Sequence, residues 1–203
     1  MTVVLVDYGA GNLRSAAKAL AVAGAAQVEV TADPEAVARA ERIVLPGVGA
    51  FGACIAGIRA VAGLEEALGD AVLRRGRPFL GICVGMQLLA GEGHEFGVHQ
   101  GLGWIPGSVQ RMVPREPSLR IPQIGWNEVV PTTAGLIAQG WAYFVHSYAF
   151  EAHDRAHIAA TIDYGGEVAA AVARDSILGV QFHPEKSQDY GLALLSRFLE
   201  WKP

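Results

Sequence analysis

Pro78-Phe79-Leu80-Gly81-Ile82-Cys83-Val84-Gly85-Met86-Gln87-Leu88-Leu89 is an apolar, strand-like run that passes without a loop into residues of helical character. Gly81 and Gly85 flank the cysteine symmetrically, the strand–turn–helix spacing in which a sharp turn lifts one side chain above the strand ends. Small residues are needed on both sides because neighbouring backbone approaches closely. A helix N-terminus beneath the sulfur then favours the thiolate through unpaired N–H groups and the helix dipole.

Outward from this elbow, the upstream half alternates short β-branched runs with Ala-rich stretches, the pattern of parallel strands covered by helices. Strands are expected at 3–6, 28–31, 42–45 and 78–82, and helices near 13–23, 34–40, 53–73 and 84–90. Asp33 before Pro34 fits an N-cap followed by a first-turn proline. Downstream, Gly, Pro and aromatic residues punctuate extended segments at 124–130, 142–150, 158–164, 168–173 and 178–182, before an amphipathic helix at 190–201. Asp163-Tyr164-Gly165-Gly166 reads as a hairpin turn. The expected fold class is α/β: a single three-layer domain over 1–203, with a mixed, largely parallel central sheet flanked by helices and an added antiparallel edge. No repeat or long linker divides it.

With 203 residues, 51% of them hydrophobic and 18% charged, the chain encloses a large core but leaves no room for a second catalytic domain. A net charge of -4, with no Lys/Arg run interleaved with aromatics, argues against a nucleic-acid partner. No apolar stretch reaches the roughly 20 residues that span a bilayer, and MTVVLVDYG lacks the basic start of a secretory leader. A cytoplasmic protein without a membrane partner is expected. Its two cysteines, Cys54 and Cys83, are then free for packing or chemistry rather than paired.

Most free cysteines simply fill cores. Cys83 gains a second reading from Gln181-Phe182-His183-Pro184-Glu185, which follows the apolar run 177–180. In an extended segment residues two apart project to one side, so His183 and Glu185 face one site, and Pro184 fits only where a strand is ending. A thiol nucleophile needs an imidazole as its base, and an adjacent carboxylate fixes the tautomer of that imidazole.

Gly81-Ile82-Cys83-Val84-Gly85-Met86-Gln87 together with His183-Pro184-Glu185 resembles the class I (triad) glutamine amidotransferase family. Further blocks are similar to one branch of it, the glutaminase subunits of imidazole glycerol phosphate synthases. These are Asp7-Tyr8-Gly9-Ala10-Gly11-Asn12-Leu13-Arg14-Ser15, Leu45-Pro46-Gly47-Val48-Gly49-Ala50-Phe51-Gly52, Gly101-Leu102-Gly103-Trp104-Ile105-Pro106-Gly107, Gln123-Ile124-Gly125-Trp126-Asn127, Tyr143-Phe144-Val145-His146-Ser147-Tyr148 and the ending Lys186-Ser187. The resemblance runs from Val3 to about position 199. It implies that Cys83 attacks the glutamine carboxamide to give a glutamyl thioester and ammonia, with His183 moving the proton and Glu185 orienting it. The amides of Val48 and Val84 hold the oxyanion, and Gly49, Gln87, Ser147 and Tyr148 bind glutamine. It further implies a heterodimer with a synthase (cyclase) subunit that consumes the ammonia in histidine biosynthesis and faces the 7–15 loop, with no cofactor and no metal. Val84 and Ala90 depart from the family pattern, which has Leu and usually Phe there; the amide of residue 84 survives, so only packing is in question.

Two other readings stay open on sequence. A glutaminase feeding another acceptor, in pyridoxal phosphate, chorismate-derived or purine synthesis, shares the triad, although the 46–49 loop and the 7–15 block speak against it. A non-catalytic partner-binding module would not need all three triad residues. Gly9-Ala10-Gly11-Asn12-Leu13-Arg14, with Glu29 downstream, mimics a dinucleotide fingerprint, but Arg14 stands where the third glycine belongs. His153 and His157 read as a solvated turn, His94 and His99 as exposed loop residues, and Cys54 as core or helix packing.

Overall fold

The computed structural model describes residues 2–203. β1 (Thr2–Val6), α1 (Leu13–Val22), β2 (Gln27–Thr31), α2 (Pro34–Arg39) and β3 (Arg42–Gly47) follow the expected alternation. Asp33 caps α2, its Oδ1 accepting from Glu35 N–H at 3.0 Å. The helix expected at 53–73 is instead broken into α3 (Phe51–Ala60) and α4 (Leu64–Gly69), with a π-helical turn at Asp70–Arg74. Between them Gly63 has a φ of 77°, which interrupts any helix and which glycine adopts without penalty.

β4 (Phe79–Cys83) leads directly into α5 (Val84–Gln87). The helix expected at 84–90 stops after 4 residues. The carbonyls of Leu88, Leu89 and Ala90 accept from the N–H groups of Leu102, Ile105 and Gly103 at 2.8, 3.0 and 3.0 Å, so another segment takes the place of the next helical turn. The dipole expected beneath Cys83 shrinks accordingly to that of one turn.

Three short strands went unforeseen: β5 (Glu92–Gly93), β6 (His99–Gln100) and β7 (Gly107–Arg111). After β8 (Gln123–Pro131), the strand expected at 142–150 proves to be two, β9 (Gly140–His146) and β10 (Tyr148–Ala152), in different sheets. The chain changes sheet at Ser147, whose carbonyl accepts from Met112 N–H at 2.9 Å. β11 (Ile158–Asp163) and β12 (Glu167–Arg174) form the expected hairpin, with Gly165 and Gly166 at positive φ in its turn. β13 (Ile177–Val180) and α6 (Gln188–Glu200) follow.

A 9-stranded sheet runs in the order β2-β1-β3-β4-β13-β12-β11-β8-β9, parallel as far as β13 and antiparallel beyond it. A 4-stranded sheet, β10-β7-β5-β6, stands beside it. β3, β4 and β13 are buried along their whole length, as central strands covered on both faces must be. Among the described residues no helix is long and apolar enough to cross a membrane.

Candidate active site

β3, β4 and β13 lie side by side and parallel, with Gly47 in register with Cys83 and Ile82 in register with Val180. Their carboxyl ends open on one edge of the sheet, where α/β folds place their ligands. From β3 comes the loop 46–49, from β4 Cys83, and from β13, three residues beyond its end, His183.

Cys83 sits at φ 56°, ψ -113°, a conformation that costs a non-glycine residue about 1–3 kcal/mol. Close backbone contact holds it there. A Cβ on Gly85 would lie 1.9 Å from the Leu45 carbonyl oxygen, and one on Gly81 2.5 Å from that of Gly85. Val84 and Ala90, the two departures from the family pattern, are both buried.

His183 and Glu185 do meet, though not by strand alternation. β13 ends at Val180, and Pro184–Lys186 forms a 3-10 turn that carries the carboxylate round to His183 Nδ1 at 2.9 Å. A carboxylate only accepts, so Nδ1 carries the proton. The backbone that carries the imidazole is anchored too: the main-chain N–H of His183 donates to Tyr143 O at 3.0 Å, and its carbonyl accepts from Ser187 Oγ at 2.7 Å. Burial by itself pushes the His183 pKa down, but hydrogen bonds to Cys83 and Glu185, with their charges, outweigh it and raise the value to about 9. An imidazolium beside the sulfur is therefore favoured.

A cleft of about 270 Å³ opens over the sulfur, lined by Val48, Gly49, Cys83, Val84, Gln87, Ser147, Tyr148 and His183. Every site residue expected from sequence is there except Glu185, which is buried against the ring. Gln87 Nε2 donates to Tyr148 O at 3.0 Å and to Gln181 Oε1 at 2.9 Å. His146 also lines the cleft, and burial, aided by the charge of His183, lowers its pKa to about 4 against the opposing hydrogen bond to Tyr148. It is neutral at physiological pH.

The loop 46–49 is tied down by two buried side chains. Tyr8 Oη donates to Pro46 O at 2.7 Å, and Cys54 Sγ donates to Val48 O at 3.5 Å. Burial pushes the Tyr8 phenol up, so it stays a donor. Cys54 is core packing, as expected, with this tether in addition.

The sequence reading missed Glu95, which lines the cleft while its Oε2 accepts from Phe51 N–H at the start of α3, 2.8 Å away. No local pattern marks it, because a contact 44 residues away in sequence positions it. His94 and His99 are half-buried around the small sheet rather than exposed. His94 Nε2 lies 2.9 Å from Glu92 Oε1, and the His99 ring packs on Gly52.

The elbow bearing Cys83, a His–Glu pair and a glycine loop meet at the carboxyl edge of this sheet, the arrangement that a cysteine-dependent amide hydrolase requires. Residues 4–201 match the family model described as glutamine amidotransferase class-I, and the chain belongs to that family. A relative from Zymomonas mobilis is 57% identical over 206 residues, covering 100% of this chain and 97% of that protein. One from Brucella suis is 52% identical over 216 residues, covering 100% of both. Each bears the name imidazole glycerol phosphate synthase subunit HisH. The fold is similar to the crystal structure of a glutamine amidotransferase, with a TM-score of 0.76 at 21% identity and 97% of both chains covered. It is also similar to PurLQS from Thermotoga maritima, with a TM-score of 0.74 at 18% identity, covering 98% of this chain and 97% of that one.

Proposed function

We propose that residues 1–203 form one glutamine amidotransferase domain, the glutaminase subunit of an imidazole glycerol phosphate synthase. It hydrolyses glutamine with Cys83, His183 and Glu185 and passes the ammonia to a synthase (cyclase) subunit, in a cytoplasmic heterodimer serving histidine biosynthesis. The observation that carries the reading is the convergence of sulfur, imidazole and glycine loop on three adjacent strand ends. Relatives that match the whole chain and bear the name imidazole glycerol phosphate synthase subunit HisH support the choice of acceptor over other glutaminases.

Glutamine enters with its carboxamide over Cys83. The carboxylate of Glu95 complements its α-ammonium, while Gly49, Gln87, Ser147 and Tyr148 shape the wall of the cleft. The thiolate attacks the carboxamide carbon, forming a C–S bond and an oxyanion held by the N–H groups of Val48 and Val84. His183, charged beside the thiolate, gives its proton to the amide nitrogen; the C–N bond breaks and ammonia leaves. Acylation removes the negative charge that supported the imidazolium, so His183 stays neutral and takes a proton from water. Hydroxide attack on the thioester breaks the C–S bond, releasing glutamate and restoring thiolate and imidazolium.

Co-expression with a synthase chain tests the reading. The pair is expected to co-purify and to consume glutamine in step with synthase product. Glutamate release that never supports synthesis by this partner, but does so with a synthase of another acceptor, would overturn the assignment.

A further inference from the structure

Gln181 is fully buried, at 0% exposure, between the sulfur of Cys83 and the amide of Gln87, and no step above uses it. The orientation of its amide is fixed from the wall of the cleft inward. Tyr148 O is a carbonyl and can only accept, so Gln87 turns Nε2 toward it at 3.0 Å. Neutral His146 brings Nδ1–H to the same carbonyl at 2.9 Å. Gln87 Nε2 spends its second hydrogen on Gln181 Oε1 at 2.9 Å, which leaves Gln181 Nε2 facing Cys83 Sγ at 3.7 Å. Turning the Gln181 amide alone would set donor against donor. Turning both amides would set the Gln87 oxygen against the Tyr148 carbonyl.

We infer that Gln181 is a positioning residue for the glutaminase chemistry, an inference that rests on the function proposed above. Its N–H holds the Cys83 sulfur as thiolate, its carbonyl holds Gln87, and one amide thereby joins the wall of the glutamine cleft to the nucleophile. Hydrogen bonds onto an ionised acceptor are roughly twice as strong as neutral ones, so the N–H favours thiolate over thiol. A residue that only filled space would leave the charge on sulfur indifferent to its replacement.

Two variants separate the arms. Gln181→Met keeps the volume and removes both hydrogen bonds, whereas Gln181→Glu keeps an acceptor for Gln87 and sets a second oxygen against the sulfur. The readout is the pH profile of Cys83 alkylation by iodoacetamide, mapped by peptide mass so that Cys54 is counted apart, on protein that retains a cooperative melting transition. Gln181→Met is expected to alkylate several-fold more slowly at neutral pH, with the rise of its profile moved to higher pH. Gln181→Glu should be slower still at neutral pH, and both should converge on wild type under alkaline conditions. In the assembled pair kcat falls in both variants, while KM rises only in Gln181→Met. A Gln181→Met profile that overlays wild type overturns the inference, and it decides alone if Gln181→Glu does not fold. A shifted profile in a chain that supports no glutamine-dependent synthesis leaves the hold on sulfur intact and removes the functional reading instead.

Discussion

The strand ends of β4 and β13 meet over one sulfur, yet they hold their side chains by different means. β4 turns within a single residue: Cys83 takes φ 56°, and the turn is packed so tightly that Gly85 has no room for a methyl group against Leu45 O. β13 runs on through Gln181 and Phe182 to a His183 at φ -101°, which carries no strain. What positions the imidazole is side-chain and turn hydrogen bonding, from Glu185 and Ser187. The sulfur is thus placed by backbone and the imidazole by its neighbours, so the two ends should respond differently to substitution.

The largest effects lie in the chemistry itself. Cys83→Ala and His183→Ala should each cut glutamine-dependent synthesis by about 10⁴-fold while leaving synthesis from high ammonium largely intact. Glu185→Gln should cost less, about 10²-fold, because an orienting group contributes less directly than the base. Paired assays with glutamine and with ammonium salts read both rates. Equal loss in both assays for Cys83→Ala would make the elbow a structural feature only.

Gly85→Ala attacks the backbone end directly. The new methyl group would meet a carbonyl oxygen of a central strand, which cannot rotate away, so a loss of about 3 kcal/mol is expected, with a melting temperature lower by roughly 10 °C. Replacing the unstrained Phe182–His183 end conservatively, as in Glu185→Gln, should move the melting temperature far less. Similar shifts for both would abolish the distinction between the two ends.

That distinction also governs what could be read in advance. The elbow, its two glycines and the parallel strands before it were legible because spacing and periodicity are local. By contrast β13, expected among the downstream antiparallel segments, proves to be the parallel neighbour of β4, and His183 meets Glu185 through a 3-10 turn rather than by alternation along a strand. The length of α5 was not legible either, because the carbonyls of Leu88, Leu89 and Ala90 are captured by a segment beginning at Leu102. The split of 142–150 escaped for the same reason: the run from Tyr143 to Phe150 is continuously strand-like, and the change of sheet at Ser147 depends on β7. Glu95 and Gln181 became visible only when distant strands had been set side by side.

The side-chain end should also be sensitive to pH. The His183 value, raised to about 9 from the ordinary 6.5, means that its interactions stabilise the fold fully below 6.5 and are lost as pH rises through about 9. The glutaminase rate should fall over the same upper range, because the imidazolium that protonates the departing nitrogen disappears. Glu185→Gln weakens the hold on the proton and should move this fall to lower pH. A pH–rate profile of the assembled pair checks both, and identical upper limbs in wild type and Glu185→Gln would separate the limb from His183.

The smallest effect is expected at the loop beside β4, where backbone control is adjustable. An oxyanion donor must point at the developing charge, and turning the Gly47–Val48 peptide changes ψ of Gly47 together with φ of Val48. Positive φ outside glycine is confined, among the described residues, to Cys83, Phe96, Asp175 and Gln188, so Val48 rests on the negative side while Gly49 takes φ 107°. Tyr8 and Cys54 hold the carbonyls of Pro46 and Val48 in this arrangement. If the donating orientation drives Val48 to positive φ, its branched side chain opposes that state by about 1–3 kcal/mol, and the productive loop is a minor population until partner contacts favour it. Val48→Gly removes the opposition and should raise glutaminase activity several-fold without the partner, while reducing the activation that the liganded partner produces. Steady-state assays of wild type and Val48→Gly, each with and without liganded synthase subunit, measure both quantities. An isolated wild-type chain as active as the assembled pair would remove the need for any switch, whereas an unchanged basal rate in Val48→Gly would leave a switch in place and exclude the Val48 side chain as the group that restrains it.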